Sequence, residues 1–371
     1  MIVRLGDYVR IKTGKLDANA ASENGAYPFF TCSVEPLKID SFSYDCECVL
    51  VAGNGDLNVK YFNGKFDAYQ RTYIIESLDK TKLSVPYLYC FLDKYVETLR
   101  KQSIGGVIKY IKLGNLTEAK IPLISLEEQS QIVNLISNVE SLILKRKEQL
   151  SKLDELVKSR FIEMFGDPVI NDKNWLIDTL GNYMTTLTDF SANGSYELLD
   201  SNVVMYDEPN YAIMVRTTDL ESSDLTSGVK YIDESAYKLL DKSKLFGGEL
   251  IMNKIGSAGK IYIMPYIDRP ASLGRNAFMF RFDERLNMKF LYFLLTSDYG
   301  TNEIQQYVRG AVTKTITKDS TRAIKIIVPP IGLQNEFAIF VEQTDKLKLE
   351  VKESLEKLET LKKSLMQKYF G

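Results

Sequence analysis

The sequence predicts a mixed α/β (α+β) fold, in which two mixed α/β globular domains alternate with two long helices that form an antiparallel coiled coil. Three observations predict this pseudo-two-fold arrangement: an internal repeat, a long helical segment in each copy, and short strands between glycine turns. The 371 residues are enough for two domains, and 45% apolar with 26% charged residues is typical of soluble globular proteins. No apolar run approaches the ~18 residues that a membrane-spanning helix needs, so we expect no membrane association.

The repeat is clearest in the second part of each copy, where residues 105–166 align with residues 310–371 without a gap. Identical pairs include Gly105/Gly310, Val107/Val312, Lys109/Lys314, Ile111/Ile316, Lys120/Lys325, Gln129/Gln334 and Leu142/Leu347. A weaker similarity upstream places Tyr69-Gln70-Arg71-Thr72 over Leu273-Gly274-Arg275-Asn276. The repeat therefore predicts a first domain at residues 1–124, a first helix at 125–166, a second domain at 167–330 and a second helix at 331–371.

A start signal and a stop signal enclose the first long helix. Ser125 and Glu128 have the spacing of a capping box, and Gly166 followed by Pro168 is typical of a helix end. The roughly 40 residues between them contain no Pro or Gly and predict a helix about 60 Å long. Heptad-like apolar positions are Ile136, Val139, Ile143, Leu150, Leu153 and Val157, then Leu347, Val351, Leu355, Leu358, Leu361 and Leu365. We expect the two helices to pair antiparallel, the alternative being that each packs on its own domain.

The globular domains show short β-like runs that are separated by turns. The expected strands are residues 47–52, 58–62 and 71–75 in the first domain, then 249–252, 260–264 and 277–282 in the second. A helix is predicted near the end of each domain, at residues 85–99 and 288–296. Each domain is therefore expected to mix helix and sheet.

Composition excludes several kinds of enzyme site. The chain has no histidine, which excludes a Ser-His-Asp triad, a Cys-His pair and a histidine general base. The four cysteines lack the CxxC spacing of a zinc site and are interpreted as free thiols of a reducing compartment. Gly256-Ser257-Ala258-Gly259-Lys260 lacks the spacing of a phosphate loop and is interpreted as a turn between strands. No catalytic motif is recognisable.

A basic segment precedes the long helix in both copies. No acidic residue lies between Leu99 and Thr117. In the second copy, Asp319 is the only acidic residue between Arg309 and Lys325. The overall net charge of −2 nevertheless makes the chain a poor solitary binder of nucleic acid. Recurrence in both halves favours phosphate contacts, the alternative being a solvated surface.

The helix motifs resemble the specificity (S) subunit of type I restriction-modification enzymes. The similar segments are Leu126-Glu127-Glu128-Gln129 at the start of the first helix and residues 155–168 at its end, with a degenerate form at residues 361–371. The resemblance covers the whole chain, as target recognition domain, spacer helix, target recognition domain and spacer helix. In Ile331-Gly332-Leu333-Gln334 the acidic pair is missing, which is expected to weaken helix capping only.

The resemblance implies a non-catalytic subunit that recognises a bipartite, asymmetric site in double-stranded DNA, with one half-site for each domain. Two modification subunits would methylate adenine, and restriction (motor-nuclease) subunits would cleave phage and other foreign DNA. S-adenosylmethionine, ATP and Mg²⁺ would belong to those partners, and this chain would hold no cofactor and no metal. A cytoplasmic location is expected, and the isolated chain could form a homodimer through exposed helix faces.

Candidate DNA contacts are polar residues on the glycine turns and the neighbouring strands, because Arg favours guanine while Asn and Gln favour adenine. The candidates for base contacts are Asn54, Lys60, Gln70 and Arg71 in the first domain, and Lys254, Ser257, Lys260, Arg275 and Asn276 in the second. The candidates for phosphate contacts are Lys101, Lys109, Arg309 and Lys314. Any one of them could instead be an ordinary surface or strand-pairing residue.

Two other functions stay open at this point. One is the specificity subunit of a related two-component restriction enzyme that cuts beside its site. The other is a coiled-coil scaffold whose domains bind proteins and not DNA. An autonomous nuclease or methyltransferase is disfavoured because its motifs are missing; Glu118-Ala119-Lys120, for example, lacks the acidic partner of a nuclease site.

Overall fold

The computed structural model describes residues 1–371, which form two compact units. Unit 1 comprises residues 1–150 and 349–371, and unit 2 comprises residues 151–348. Each unit therefore contains one globular domain, the beginning of one long helix and the end of the other. None of the ten α-helices combines the length and the hydropathy that crossing a lipid bilayer requires.

Unit 1 is built around a six-stranded sheet, and its elements follow in chain order. The strands are β1 Ile2–Arg4, β2 Val9–Thr13, β3 Tyr27–Phe30, β4 Leu37–Ile39, β5 Tyr44–Ala52, β6 Val59–Ala68, β7 Thr72–Ser77 and β8 Lys120–Pro122. The helices are α1 Val85–Gln102, α2 Leu113–Thr117 and the long α3 Leu126–Phe165. The large sheet has the order β2-β7-β5-β6-β3-β4, and β1 pairs with β8. Only β3 and β6 run parallel.

Unit 2 contains two four-stranded sheets. Its strands are β9 Leu176–Thr179, β10 Met184–Asp189, β11 Ala212–Val215, β12 Lys230–Ile232, β13 Lys244–Leu245, β14 Leu250–Asn253, β15 Ile261–Ile263, β16 Ala271–Leu273, β17 Ala277–Phe282 and β18 Lys325–Val328. The helices are α4 Tyr196–Asn202, α5 Thr217–Ser222, α6 Glu234–Leu239, α7 Met288–Thr296, α8 Asp298–Gln305, α9 Lys318–Arg322 and α10 Ile331–Phe370. The sheet orders are β10-β17-β14-β15 and β12-β11-β16-β13, and β18 pairs with β9.

Segments of α3 and α10 run antiparallel within each unit. In unit 1, Glu140 pairs with Lys362 at 2.7 Å and Lys147 with Glu359 at 3.5 Å. In unit 2, Lys348 pairs with Asp154 at 2.6 Å, while Arg160 pairs with Glu336 at 3.0 Å. As the residue number rises along α3, the number of its partner on α10 falls. This confirms the predicted antiparallel pairing inside each unit.

A buried glutamine joins each globular domain to the helix that follows it. Gln129 is fully buried; its amide group donates to the carbonyls of Lys82 (2.7 Å) and Ile124 (3.0 Å) and accepts from the N–H of Ser84 (2.9 Å). These three main-chain groups flank α1 and α3 and would otherwise lack partners. One side chain thus satisfies three main-chain groups at the junction.

Gln334 repeats this arrangement in unit 2. It is also fully buried, donates to the carbonyls of Arg285 (3.2 Å) and Pro329 (2.7 Å), and accepts from the N–H of Asn287 (2.8 Å). The internal repeat therefore extends to individual hydrogen bonds, although the domains themselves have diverged.

Aromatic side chains fix the far end of each long helix. In unit 1, the Phe370 ring lies 5.2 Å from Tyr87 and 6.2 Å from Phe91, both on α1. In unit 2, the Phe165 ring lies 4.7 Å from Phe290 on α7 and 5.5 Å from Phe337 on α10. Each unit is thus closed by the helix end that belongs to the other repeat, which differs from the alternative that each helix packs on its own domain.

Most predicted elements occur in the structure, with strand ends shifted by a few residues. The predicted helix near the end of each domain is present, and Ser125 and Glu128 form the expected capping box. The apolar stripe was wrong at two positions, because Leu347 and Leu361 are 51% and 45% exposed. The glycine segment at residues 256–260 is a turn between β14 and β15, as interpreted.

Replacing Gln129 with Leu should lower the free energy of unfolding of unit 1 by about 3 kcal/mol, because three main-chain groups at the junction lose their partner. Urea titration followed by hydrogen exchange of peptides from unit 1 would measure this loss. Gln131→Leu, at an exposed position two residues away, is the matched control and should be nearly neutral. Equal midpoints for the two variants would contradict this role of Gln129.

Candidate nucleic-acid interface

Three segments lie side by side in each unit and form what we call its composite edge. They are a glycine turn after a central strand, the two residues before the neighbouring strand, and a small hairpin after a helix. In unit 1 these are residues 53–55, 70–71 and 104–110. In unit 2 they are residues 254–256, 275–276 and 309–315.

Main-chain hydrogen bonds join the segments of unit 1. Gly53 N–H donates to the carbonyl of Arg71 (2.8 Å), and Ile111 N–H donates to the carbonyl of Gly53 (2.9 Å). Gly55 N–H donates to the carbonyl of Lys109 (2.9 Å). The turn is therefore held between the strand end and the hairpin, and side chains from all three segments emerge together.

The same bonds recur in unit 2 at equivalent positions. Lys254 N–H donates to Asn276 (2.9 Å), Ile316 N–H donates to Lys254 (3.1 Å), and Gly256 N–H donates to Lys314 (2.9 Å), each at the carbonyl oxygen. Because the hydrogen-bond pattern is identical, residues of the two composite edges can be matched one to one.

This match corrects one sequence equivalence. Ala52 pairs with Thr72, and Asn253 pairs with Ala277, so Thr72 is equivalent to Ala277. Arg71 therefore corresponds to Asn276, and Gln70 corresponds to Arg275. The sequence comparison matched Arg71 with Arg275, but the strand pairing shifts this alignment by one residue.

Several candidate residues of unit 1 meet at its composite edge. Arg71, Gln70 and Lys109 are exposed there, and Asn54 is half-buried with its main chain bridged to Tyr110. Gln70 donates to Asp17 at 2.7 Å. An amide, a guanidinium and an ammonium group are thus presented on one small surface, a set that suits base edges and phosphates.

In unit 2, Lys254 has a different environment from the one expected. Its side chain is only 14% exposed, and Nζ lies 2.6 Å from the carboxylate of Asp189, which also binds Lys318 at 2.8 Å. Burial alone would raise the pKa of Asp189, but hydrogen bonds from the two lysines lower that pKa below its ordinary value. Lys254 therefore anchors the glycine turn to β10 and α9. Sequence alone could not identify Asp189 or Lys318 as its partners.

Arg275 is held with its guanidinium group at the surface. It lies 3.1 Å from Asp200 and 5.2 Å from the centre of the Phe190 ring, with 40% of its side chain exposed. A crevice of about 370 Å³ beside it is lined in part by Met205, Arg216 and Asn276. Stacking and the carboxylate orient the planar donor group without burying it.

The remaining candidates lie partly at and partly beyond the composite edges. Ser257 directly follows the glycine turn and is exposed. Lys314, on the hairpin, is also exposed. The guanidinium group of Arg309, at the start of the hairpin, donates to the carbonyls of Gln306 and Val308. Lys101 is exposed in the last turn of α1.

Two candidate lysines, Lys60 on β6 and Lys260 in the turn before β15, lie outside the segments that form the composite edges. Lys60 on β6 is half-buried beside Asn58, and burial lowers its pKa. Lys260 pairs with Glu221 and lies over the ring of Tyr262. Their side chains are therefore engaged within the domain. The structure contains no group of three or more Cys, Asp or Glu side chains placed to hold a metal ion.

Comparison with known families agrees with the duplicated architecture. A model of the type I restriction modification DNA specificity domain matches residues 1–153 and 182–362. The chain belongs to this family of DNA specificity subunits. It is 26% identical to the type I restriction enzyme EcoDI specificity subunit of Escherichia coli, over 99% of this chain and 87% of that protein. It is 25% identical to the type I restriction enzyme MjaVIII specificity subunit of Methanocaldococcus jannaschii, over 98% of this chain and 90% of that protein.

Solved structures show the same fold. A type I S subunit from M. genitalium superposes with a TM-score of 0.63 at 17% identity, covering 100% of this chain and 96% of that one. A chain from a structural study of complex assembly and conformational transition of the type I R-M system gives a TM-score of 0.61 at 16% identity, with 100% and 97% coverage. As an S subunit, this protein is a non-catalytic, sequence-specific DNA-recognition subunit.

Replacing Gly105 with Ala should open the unit 1 hairpin. Gly105 has φ +116°, and an added Cβ would lie 2.5 Å from the carbonyl oxygen of Ile108, so the variant is strained by about 1–3 kcal/mol. Hydrogen exchange at the amides of Ile104 and Tyr110 should accelerate at least about tenfold. Gly106→Ala, where the added Cβ meets open space, is the control. Equal exchange in both variants would contradict the requirement for Gly105.

Proposed function

We propose that each unit recognises one half of a bipartite, asymmetric site in double-stranded DNA through its composite edge. The observation that carries this proposal is that both units build the same main-chain arrangement and place different side chains on it. Asn54, Gln70 and Arg71 in unit 1 correspond to Ile255, Arg275 and Asn276 in unit 2. Two composite edges with the same main-chain shape but different side chains are suited to a DNA site whose two half-sites differ in sequence.

The chemistry of these groups supports a division between base and phosphate contacts. Arg275 and Arg71 are suited to guanine, while Gln70, Asn54 and Asn276 are suited to adenine. Lys101, Lys109, Arg309 and Lys314 would contact phosphates, which position a protein on DNA without specifying sequence. Lys254 would support the turn from within, and Ser257 would lie beside it.

We further propose that partner subunits supply the catalysis. Two modification subunits would hold S-adenosylmethionine and methylate adenine, and restriction subunits would use ATP and Mg²⁺ to cleave unmodified DNA. The target adenine must leave the stacked duplex for this chemistry, and the pocket for it would belong to the modification subunit. The complex would act in the cytoplasm, because its DNA substrate lies there. The net charge of −2 suits a subunit whose partners provide much of the phosphate contact.

Equivalent exposed leucines on the long helices support a duplicated partner surface. Leu142 and its counterpart Leu347 are 46% and 51% exposed, and Leu144 and its counterpart Leu349 are 68% and 60% exposed. Exposed apolar side chains that recur at the same positions of two helices are typical of protein interfaces. We assign one such surface to each modification subunit.

The test of DNA recognition is the methylome of cells that express this chain with its modification subunit. A split adenine-methylated motif should appear only when this chain is present. Arg275→Ala should relax or abolish one half of that motif while the complex still assembles, because a guanidinium contact is worth about 1–3 kcal/mol of discrimination. Lys242→Ala, an exposed position outside the composite edge, should leave the motif unchanged.

Two results would contradict these assignments. An assembled complex that produces no motif would favour a protein-binding scaffold over a DNA-recognition subunit. An unchanged motif with Arg275→Ala would remove Arg275 from the base contacts while leaving the function in place.

Replacing Leu347 with Glu should weaken binding of a modification subunit by at least about tenfold, since an apolar contact is lost and a charge must be desolvated. Native mass spectrometry should show complexes with one modification subunit instead of two. Lys346→Glu introduces the same carboxylate at the neighbouring exposed position, with a larger change in net charge, and is the control. Full assembly by the Leu347 variant would place the interface elsewhere.

A further inference from the structure

The tips of the two hairpins carry fully exposed valines. Val107 is 103% exposed in unit 1, and its counterpart Val312 is 98% exposed in unit 2. A single exposed apolar residue is ordinary on a protein surface. Here the same apolar residue occupies the same tip in two domains whose turn and strand-end side chains differ, which indicates that both tips meet a partner.

Main-chain hydrogen bonds close the base of the hairpin that carries each valine. Ile104 and Tyr110 exchange reciprocal main-chain hydrogen bonds at 3.0 and 2.8 Å, and Arg309 and Thr315 do so at 2.9 and 2.7 Å. Gly105 and Gly310 both have positive φ, and a Cβ on either would collide with a carbonyl oxygen of its own hairpin. Further bonds to the glycine turns fix the base of each hairpin. The hairpin bases are therefore fixed to the domain, and the valines protrude from them into solvent.

The charge around the tips identifies the partner as a polyanion. Lys109 and Lys112 flank Val107, and no acid lies between Leu99 and Thr117. Arg309 and Lys314 flank Val312 within its hairpin. Each hairpin consists of two chain segments that one bridge holds side by side. Two adjacent segments fit the roughly 12 Å major groove of DNA and not the roughly 6 Å minor groove. The apolar group that the major groove offers is the C5-methyl group of thymine.

We propose that Val107 and Val312 each contact the C5-methyl group of a thymine in the half-site of their own unit. This inference deepens the proposed function and rests on it. Each hairpin then has two kinds of contact: lysine and arginine side chains bind phosphates, and the tip valine adds selectivity for thymine at one position.

The test is a double-mutant cycle on the complete methyltransferase complex. Duplexes that contain the motif found in the methylome are prepared with each thymine replaced in turn by deoxyuridine, which lacks only the methyl group. Under conditions limited by kcat/KM, one deoxyuridine in each half-site should slow methylation about fourfold, the effect of one buried methyl group. With Val107→Ala that fourfold effect should vanish in the first half-site and persist in the second.

Val312→Ala should show the opposite pattern, so each variant is the control for the other. Leu78→Ala replaces a residue that is 54% exposed beyond the opposite end of β7 and should retain both effects. Coupling that follows this crossed pattern supports the contact. A half-site without thymine, deoxyuridine scans without effect, or valine variants of normal activity would overturn it.

Two further outcomes separate the remaining sources of failure. If the valine variants are impaired without coupling, and 2-aminopurine placed away from the methylated adenine fluoresces with the wild-type complex but not with the valine variants, the tips insert between base pairs and the methyl contact is overturned. If the complex forms but yields no motif at all, the proposed function fails and this inference fails with it. A normal motif with inert valines overturns this inference alone.

Discussion

The buried amides of Gln129 and Gln334 are the contacts on which the placement of each globular domain depends. Each side chain satisfies three main-chain groups where the chain enters the long helix. A domain cannot tilt on its helix without leaving these groups unpaired away from water. The surface capping residues are less constrained, since Ser125 and Glu128 are replaced by Pro330 and Leu333 in the second copy. Proline is tolerated at a helix start, so α10 still begins there.

A second set of contacts acts on the same short helix in each unit. Gln129 binds the residue before α1, and Phe370 packs on the side of α1. In unit 2, Gln334 binds the residue before α7, and Phe165 packs on the side of α7. The helix is held from two directions, so the domain is fixed in rotation as well as in tilt. The units differ where Lys362 pairs with Glu140, because its counterpart in the repeat, Val157, is buried and apolar. Such a difference gives each pair of helix segments its own packing.

The sequence predicted the elements well because local signals and the repeat agree. The capping box, the glycine turns and the two domain helices are all encoded by short segments. Partners distant in sequence were not predictable, which is why Lys254 was a candidate for a base contact and Asp189 was not recognised as its partner. The strand register could not be derived from residue identity either, so Arg71 was matched with Arg275. Val107 and Val312 are identical in the two copies of the repeat, but this identity did not indicate that their side chains are exposed at the hairpin tips.

The composite edges combine a constant frame with variable side chains, and the two parts follow different physical constraints. Main-chain bonds and left-handed glycines fix the frame, and the lysines at 109 and 314 are retained with it. Phosphates are the same in every sequence, so groups that contact them have no reason to diverge. Base edges differ, so the residues at the turn and strand end are free to change with the half-site while the frame stays intact. A new specificity then requires only substitutions at exposed positions, where most changes alter stability little.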